Sequence, residues 1–139
     1  NDPVGFRLKV SNKEIAIATD IGKMTRSILS SIEKTDILLL ESNHDKDMLK
    51  LSKYPYKLKR RIMSDKGHLS NDMAGKVVAY LAEQGMTRFI LGHLSEKSNF
   101  PELVYQTVKN ILKEKEIKIE EDIDLTISER NRLGSIVTL

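Results

Sequence analysis

The sequence has no cysteine, and it shows no internal repeat, no low-complexity segment and no linker. Without cysteine there is no disulfide framework and no thiolate metal site, so any metal must be held by His, Asp or Glu. No apolar run approaches the roughly 18 residues a membrane span requires. No secretory signal pattern is visible, and the expected location is cytoplasmic. Charge of one sign is also lacking. The chain carries 23 Lys+Arg against 20 Asp+Glu, a net charge of +3, with both signs interspersed along most of its length. That balance says little about partners.

What is present is 40% hydrophobic and 31% charged residues in a chain of 139. This composition excludes global disorder. A chain of this length buries roughly 68–70% of its unfolded surface, enough for one core. It opens Asn1-Asp2-Pro3-Val4, without Met, and enters a strand-like run almost at once. We read it as a fragment of a longer protein, with residues 1–139 forming a single unit.

Hydrophobic periodicity sets out the elements. Val4 to Val10 alternates, Ser11-Asn12 turns, and Glu14 to Thr19 returns as a short buried strand, so a hairpin is expected. A helix is expected from Lys23 to Lys34. Asp36 to Leu40 is a wholly apolar run of the kind covered on both faces. Short helical pieces follow near Asp45–Leu51 and Tyr56–Met63, broken at Pro55. Ser70 or Asn71 caps a helix running to about Gln84, with Ala74, Val77, Val78 and Leu81 as its core stripe and Gly85 as its stop. Arg88 to Leu91 reads as another buried strand, and Pro101 opens a helix carrying Val104, Val108, Ile111 and Leu112. Ile117 to Ile127 alternates as a strand, and Gly134 to Leu139 reads as a last one. Apolar strands alternating with helices make this an α/β unit.

One segment departs from the even charge. Lys53-Tyr54-Pro55-Tyr56-Lys57-Leu58-Lys59-Arg60-Arg61 holds five basic residues and two aromatics in nine positions. Such a strip is either a solvated helix face or a phosphate-contacting surface, with Lys57, Lys59, Arg60 and Arg61 neutralising phosphates and tyrosines stacking on bases or sugars.

The chemistry-bearing residues follow a positional pattern. Three buried-type strands end at Asp20, Glu41 and His93. Parallel neighbours would bring these residues out at one sheet edge, where α/β sheets bind ligands. His44 lies three residues past Glu41, and His68 stands just before a helix start. Each has an ordinary explanation: an Asp after a strand caps turns, a Glu before Ser-Asn solvates a loop, and a loop His needs no function. An Asp and a His also supply too few ligands for a catalytic zinc site, which usually takes three. Taken alone, the residues give an incomplete metal site or none.

Longer strings carry more. Thr19-Asp20-Ile21-Gly22, Leu40-Glu41-Ser42-Asn43-His44-Asp45, Tyr54-Pro55, Ser64-Asp65-Lys66-Gly67-His68-Leu69-Ser70-Asn71, Leu91-Gly92-His93-Leu94-Ser95 and Asn99 with Pro101-Glu102-Leu103 occur in that order. Together they resemble the YycJ family, also called VicX or WalJ. These are metallo-β-lactamase-fold hydrolases related to ribonuclease Z, and the resemblance covers nearly the whole chain. It implies an αββα sandwich with two divalent metal ions, Zn or Mn, at one edge. The family's first ligands come from a His-x-His-x-Asp-His motif, which this sequence lacks. A further ligand His precedes a Pro-Val-Gly-Phe-like strand, and here Pro3-Val4-Gly5-Phe6 is present while the chain opens just after that position. The resemblance therefore implies the C-terminal half of the sandwich, with the metal centre incomplete or absent.

Position by position, the resemblance makes Asp20 the metal-bridging carboxylate and His93 the last histidine ligand. It makes Glu41 and His68 a paired proton-transfer unit, the carboxylate orienting an imidazole that protonates the leaving oxygen. Asn43 and His44 become substrate contacts, and Lys66 and Ser95 phosphate contacts. The implied activity is phosphodiester hydrolysis by a metal-activated water, as a 5′-to-3′ exonuclease on DNA rather than RNA. The isolated fragment is then expected to be inactive. Two other readings remain: a hydrolase of a small ester, lactone or cyclic phosphodiester, and a non-catalytic module that binds nucleic acid or protein. A half-sandwich would expose the sheet face that packs on its partner half, so either self-association or a second polypeptide supplying that half is expected.

Overall fold

A computed structural model of the chain describes residues 5–131 and 134. In chain order these form β1 (Phe6–Val10), β2 (Lys13–Ala18), α1 (Arg26–Ile32), β3 (Ile37–Glu41), α2 (Lys46–Leu51), α3 (Tyr56–Ile62), α4 (Asn71–Glu83), β4 (Arg88–Gly92), α5 (Pro101–Glu114) and β5 (Asp124–Ile127). The class is α/β, with one mixed sheet of five strands in the order β1-β2-β3-β4-β5. The β1–β2 hairpin is antiparallel, and every later pairing is parallel.

Local chemistry places the helix ends. Thr25 caps α1 through Oγ1, which accepts from the Ile28 N–H at 3.3 Å. Asp45 caps α2 by accepting from Asp47 and Met48 N–H at 3.0 and 2.8 Å. Ser70 caps α4, and the chain leaves that helix through Gly85 at φ +92°. Pro101 occupies the first turn of α5, where its missing N–H costs nothing.

Two boundaries differ from the sequence reading. The helix expected from Lys23 begins only at Arg26, after the Thr25 cap, although Met24 still packs on the core. The strand expected over Ile117–Ile127 is confined to Asp124–Ile127. Ahead of it Glu116 and Glu120 adopt positive φ, and Asp122 accepts the Lys118 backbone N–H at 2.8 Å, which folds the segment into a turn. Alternation there reflects a turn that buries Ile123. The strand read at Gly134–Leu139 falls outside the described residues apart from Gly134, as does Val4 at the start of the first.

The strand order decides what covers the sheet. Parallel strands joined in sequence order, always stepping the same way, carry their right-handed crossovers on one face. Burial agrees. Ala16, Ala18, Leu38, Leu40, Phe89 and Leu91 point to the helical side and are at most 1% exposed, packed with Val78, Leu81, Val104 and Val108 of α4 and α5. The register puts Phe6, Leu8, Ile15, Ile17, Leu39 and Ile90 on the opposite face. There Phe6 is 59% and Leu8 49% exposed, with Val10 beside them at 64%, while Ile15, Ile17, Leu39 and Ile90 are half-buried. An apolar sheet face is thus left largely open. No described helix is long and apolar enough to cross a membrane.

Candidate active site

The parallel register lifts the ends of β2, β3 and β4 to one edge. Glu41 closes β3, Asp20 follows β2, and His93 follows β4. Glu41 alternates with Leu38 and Leu40, so it belongs to the side of the sheet that the helices leave open. Asp20 and His93 both take left-handed backbone, at φ +58° and +56°. That conformation costs roughly 1 kcal/mol for an L-residue, and Asp and His are among the types that tolerate it. It ends each strand.

Glu41 is completely buried, yet it is charged. Burial alone would raise its pKa. Hydrogen bonds from His68, His93 and the Leu69 backbone N–H outweigh that and hold it at about 2. Oε1 accepts from the N–H groups of Ile21 at 2.8 Å and Leu69 at 2.9 Å. Oε2 accepts from the Asp20 N–H at 3.1 Å and lies 3.1 Å from His68 Nδ1 and 3.0 Å from His93 Nδ1. An ionised carboxylate only accepts, so both imidazoles present Nδ1–H to it and keep Nε2 free. The hydrogen bond to Glu41 raises the His93 pKa against the opposing effect of burial. The two rings lie 5.3 Å apart, centre to centre.

Asp20 completes the cluster from the solvent side, with Oδ1 3.7 Å from His68 Nδ1. One ligand atom from each of Asp20, His68 and His93 lies within 4.8 Å of the others. Two imidazoles and a carboxylate could hold one divalent metal ion, since catalytic metal sites usually take about three such ligands. Among the described residues this is the one group of that kind, so a second ion would need donors from elsewhere.

The surrounding loops are sewn together by buried amides. Asn43 donates through Nδ2 to the His93 carbonyl at 2.9 Å, donates its N–H to Leu69 O, and accepts the Ser95 N–H on its own carbonyl. Ser42 Oγ, Asn71 and Asn99 form a closed buried set with bonds of 2.7–2.9 Å. His44 is 2% exposed, and burial lowers its pKa to about 4, which keeps it neutral.

The structure therefore brings Asp20, Glu41, His68 and His93 together, with Asn43 and His44 adjoining them. Asn43 holds backbone on three loops. Ser95 lies in the same loop set, its Oγ accepting from Ser98 Oγ at 2.8 Å. Lys66 is exposed in the turn that leads to His68. The basic segment becomes α3, where its side chains diverge. Lys59 reaches back to the carbonyl of Lys50 at the end of α2, Arg60 lies over the Tyr56 ring at 6.0 Å, and Lys57 and Arg61 are exposed. Sequence reasoning missed the bond between His93 and Glu41 and the Ser42–Asn71–Asn99 set. No spacing rule signals either, because the partners lie 52, 29 and 28 residues apart.

Comparison with known proteins agrees with the motif strings. No family model matches the chain. It is 32% identical over 124 residues to exodeoxyribonuclease YycJ of Bacillus anthracis, a match covering 89% of this chain and 47% of that protein. It is also 32% identical over 120 residues to exodeoxyribonuclease WalJ of Streptococcus pneumoniae, covering 86% of this chain and 45% of that one. The chain is a relative of the YycJ/WalJ family. It spans about half the length of the curated relatives it matches.

Proposed function

We propose that this chain is the C-terminal half of a metal-dependent phosphodiester hydrolase of metallo-β-lactamase-type αββα architecture, acting as a 5′-to-3′ exonuclease on DNA. One observation carries the reading: a single buried carboxylate, Glu41, orients two imidazoles beside an exposed Asp20 at the open edge of a parallel sheet. Relatives named exodeoxyribonuclease support the same class of reaction. The open apolar face and the half-length match support a missing layer, and Glu41 sits at the rim of that face, so the site would lie in the seam between the two layers. The missing donors for a second ion would come from that layer.

Asp20 and His93 would hold a divalent ion, with further donors from the missing layer, while His68 stays free to carry a proton on Nε2. Such an ion lowers the pKa of a bound water and stabilises charge growing on phosphoryl oxygens. Glu41 fixes which nitrogen of each imidazole carries the proton. It also supports positive charge on His68, which then delivers a proton to the departing sugar oxygen. Asn43 keeps His93 in its left-handed backbone, and the exposed Lys57 and Arg61 offer neutralisation along the strand.

The test is Mn²⁺-dependent digestion of end-labelled duplex DNA by the full-length protein, with His93→Ala alongside. Digestion is expected from the end, and it should vanish in the variant and in chelator. A well-folded, metal-loaded protein that cuts no DNA overturns the proposal. The 139-residue chain alone is expected to be inactive.

A further inference from the structure

Beside the cluster, on the far side of His68, lies a cavity of about 370 Å³ with Lys23, His44, Lys46, Lys50 and Ser70 in its wall. We propose that this cavity is a subsite for a phosphoryl group of the substrate strand, an assignment that rests on the nuclease reading and extends it. His68 lines both places, so a group bound here would sit next to the reacting one.

Three features point to an oxyanion. First, the ionised side chains in the wall are three lysines against one carboxylate, Asp65. Each lysine rests on a carboxylate: Lys23 on Asp65 at 2.9 Å, Lys46 on Asp72 at 3.0 Å and Lys50 on Asp47 at 2.8 Å. All three side chains are more than half exposed, and pairs of that kind contribute roughly 0–1 kcal/mol. Their ammonium groups can swing to a dianion at little cost.

Second, His44 is 98% buried, and its Nδ1 is the one buried side-chain nitrogen or oxygen among the described residues with no partner. A proton on Nδ1 would be wasted there, so the neutral ring keeps it on Nε2, the nitrogen left accessible to solvent. His44 then offers a fixed neutral donor. A neutral donor binds a phosphoryl oxygen without adding the desolvation cost of another buried charge.

Third, the rim is apolar where the cationic lining ends. Met63 and Met73 line the cavity and are 47% and 42% exposed. Flexible thioether side chains suit the face of a sugar or base. The combination fits a nucleotide better than a free inorganic ion. The phosphoryl group could be a terminal monoester or an internal diester of the strand, and the probes below separate the two.

The test uses the full-length protein in EDTA, which removes any bound metal. Imidazole nitrogen resonances of His44 are followed by NMR during titration with inorganic phosphate, thymidine 5′-monophosphate, the dinucleotide d(TpT) and thymidine. The expected result is a saturable shift of His44 Nε2 with thymidine 5′-monophosphate, tighter than with phosphate and absent with thymidine. A response to d(TpT) as strong as to the monophosphate assigns the subsite to an internal diester, and a weaker one assigns it to a terminal phosphate. The exposed pair Lys46→Gln and Lys50→Gln together should weaken binding at least about fivefold while leaving the thermal midpoint in place. No response of His44 to any phosphate probe at 50 mM, or unchanged affinity in the double variant, overturns the subsite. Its failure is separate from that of the nuclease reading: a full-length protein that digests DNA while His44 ignores phosphate overturns the subsite alone. Conversely, phosphate binding at His44 in a metal-loaded full-length protein that cuts nothing overturns only the nuclease reading.

Discussion

Glu41→Gln changes one oxygen to an NH₂ and leaves volume and packing nearly unaltered, so it isolates the charge. In the wild type this carboxylate accepts from three backbone N–H groups and two imidazoles while fully buried. Glutamine can keep its oxygen toward Ile21 and Leu69, but those two bonds lose their charge assistance, roughly 1 kcal/mol each. Its NH₂ then faces the Asp20 N–H, donor against donor, which leaves that group unpaired at a cost of about 1–3 kcal/mol. The two imidazoles can change tautomer and accept from the NH₂, so they add little. The expected loss is about 3–5 kcal/mol, the usual scale for removing one partner of a buried charged network. Urea unfolding followed by far-UV circular dichroism is the suitable assay, because the chain has no tryptophan. With a slope of about 2 kcal/mol per molar, the midpoint should fall by about 2 M. A loss under about 1 kcal/mol would refute the reasoning, because Glu41 would then not be an ionised anchor. The tautomer change also predicts that the variant moves the ring proton of both histidines from Nδ1 to Nε2, visible as altered imidazole nitrogen shifts.

His44 should make the fold acid-sensitive. Its folded pKa, pushed down to about 4 by burial, lies below the ordinary 6.5, so its contribution is intact above pH 6.5 and is lost as pH falls toward 4. The loss by about pH 4.5 is about 2 kcal/mol, and it should be absent in His44→Asn. Glu41 adds its own loss only below about pH 4.5. His93, with a raised pKa, works the other way, stabilising below pH 6.5 and losing that as pH rises. Comparing urea midpoints at pH 7.5 and 4.5 separates these, and equal pH dependence in both proteins would remove His44 from the account. Gly67→Ala should lower the thermal midpoint by about 6–8 °C, because a Cβ there meets the backbone carbonyl oxygens of Arg61 and Ile62. Gly75→Ala, where the added Cβ meets only the tip of Ile111 at 2.6 Å, should be far milder, and equal melting of the two would contradict this packing. Leu8→Lys should suppress self-association of the chain in sedimentation velocity, and a wild type that stays monomeric at high concentration would count against a sticky sheet face.

The sheet was legible from sequence because its strands are short apolar runs with clear stops. The shared edge was legible too, once Asp20, Glu41 and His93 were seen to end three of those runs. The pairing of Glu41 with His68 came through the family's motif strings. Its second bond, to His93, did not, because the carboxylate's five donors come from three separate stretches of chain, and only the folded loops show that they converge. Alternation misled at Ile117–Ile127, where left-handed Glu116 and Glu120 produce the same apolar spacing by turning the chain. The Lys23, Lys46 and Lys50 wall was equally hidden: each lysine reads as an ordinary surface charge until α2 and the loop after β2 are brought to the same hollow.

The left-handed backbone at Asp20 and His93 has a consequence for what these positions accept. In a relaxed strand end almost any side chain is admissible, and a ligand can be exchanged for another by chemistry alone. Here the dihedral acts first, as a filter on residue type. Glycine passes it but has nothing to offer a metal, and β-branched or bulky residues are penalised before their chemistry counts. Aspartate, asparagine and histidine pass most readily and still bear a donor, whereas the left-handed glutamates of this chain, Glu116 and Glu120, lie in an exposed turn. Re-engineering the metal preference of this edge by substituting at positions 20 or 93 therefore starts from a very short alphabet, and glutamate at position 20 would meet backbone strain as well as the wrong reach.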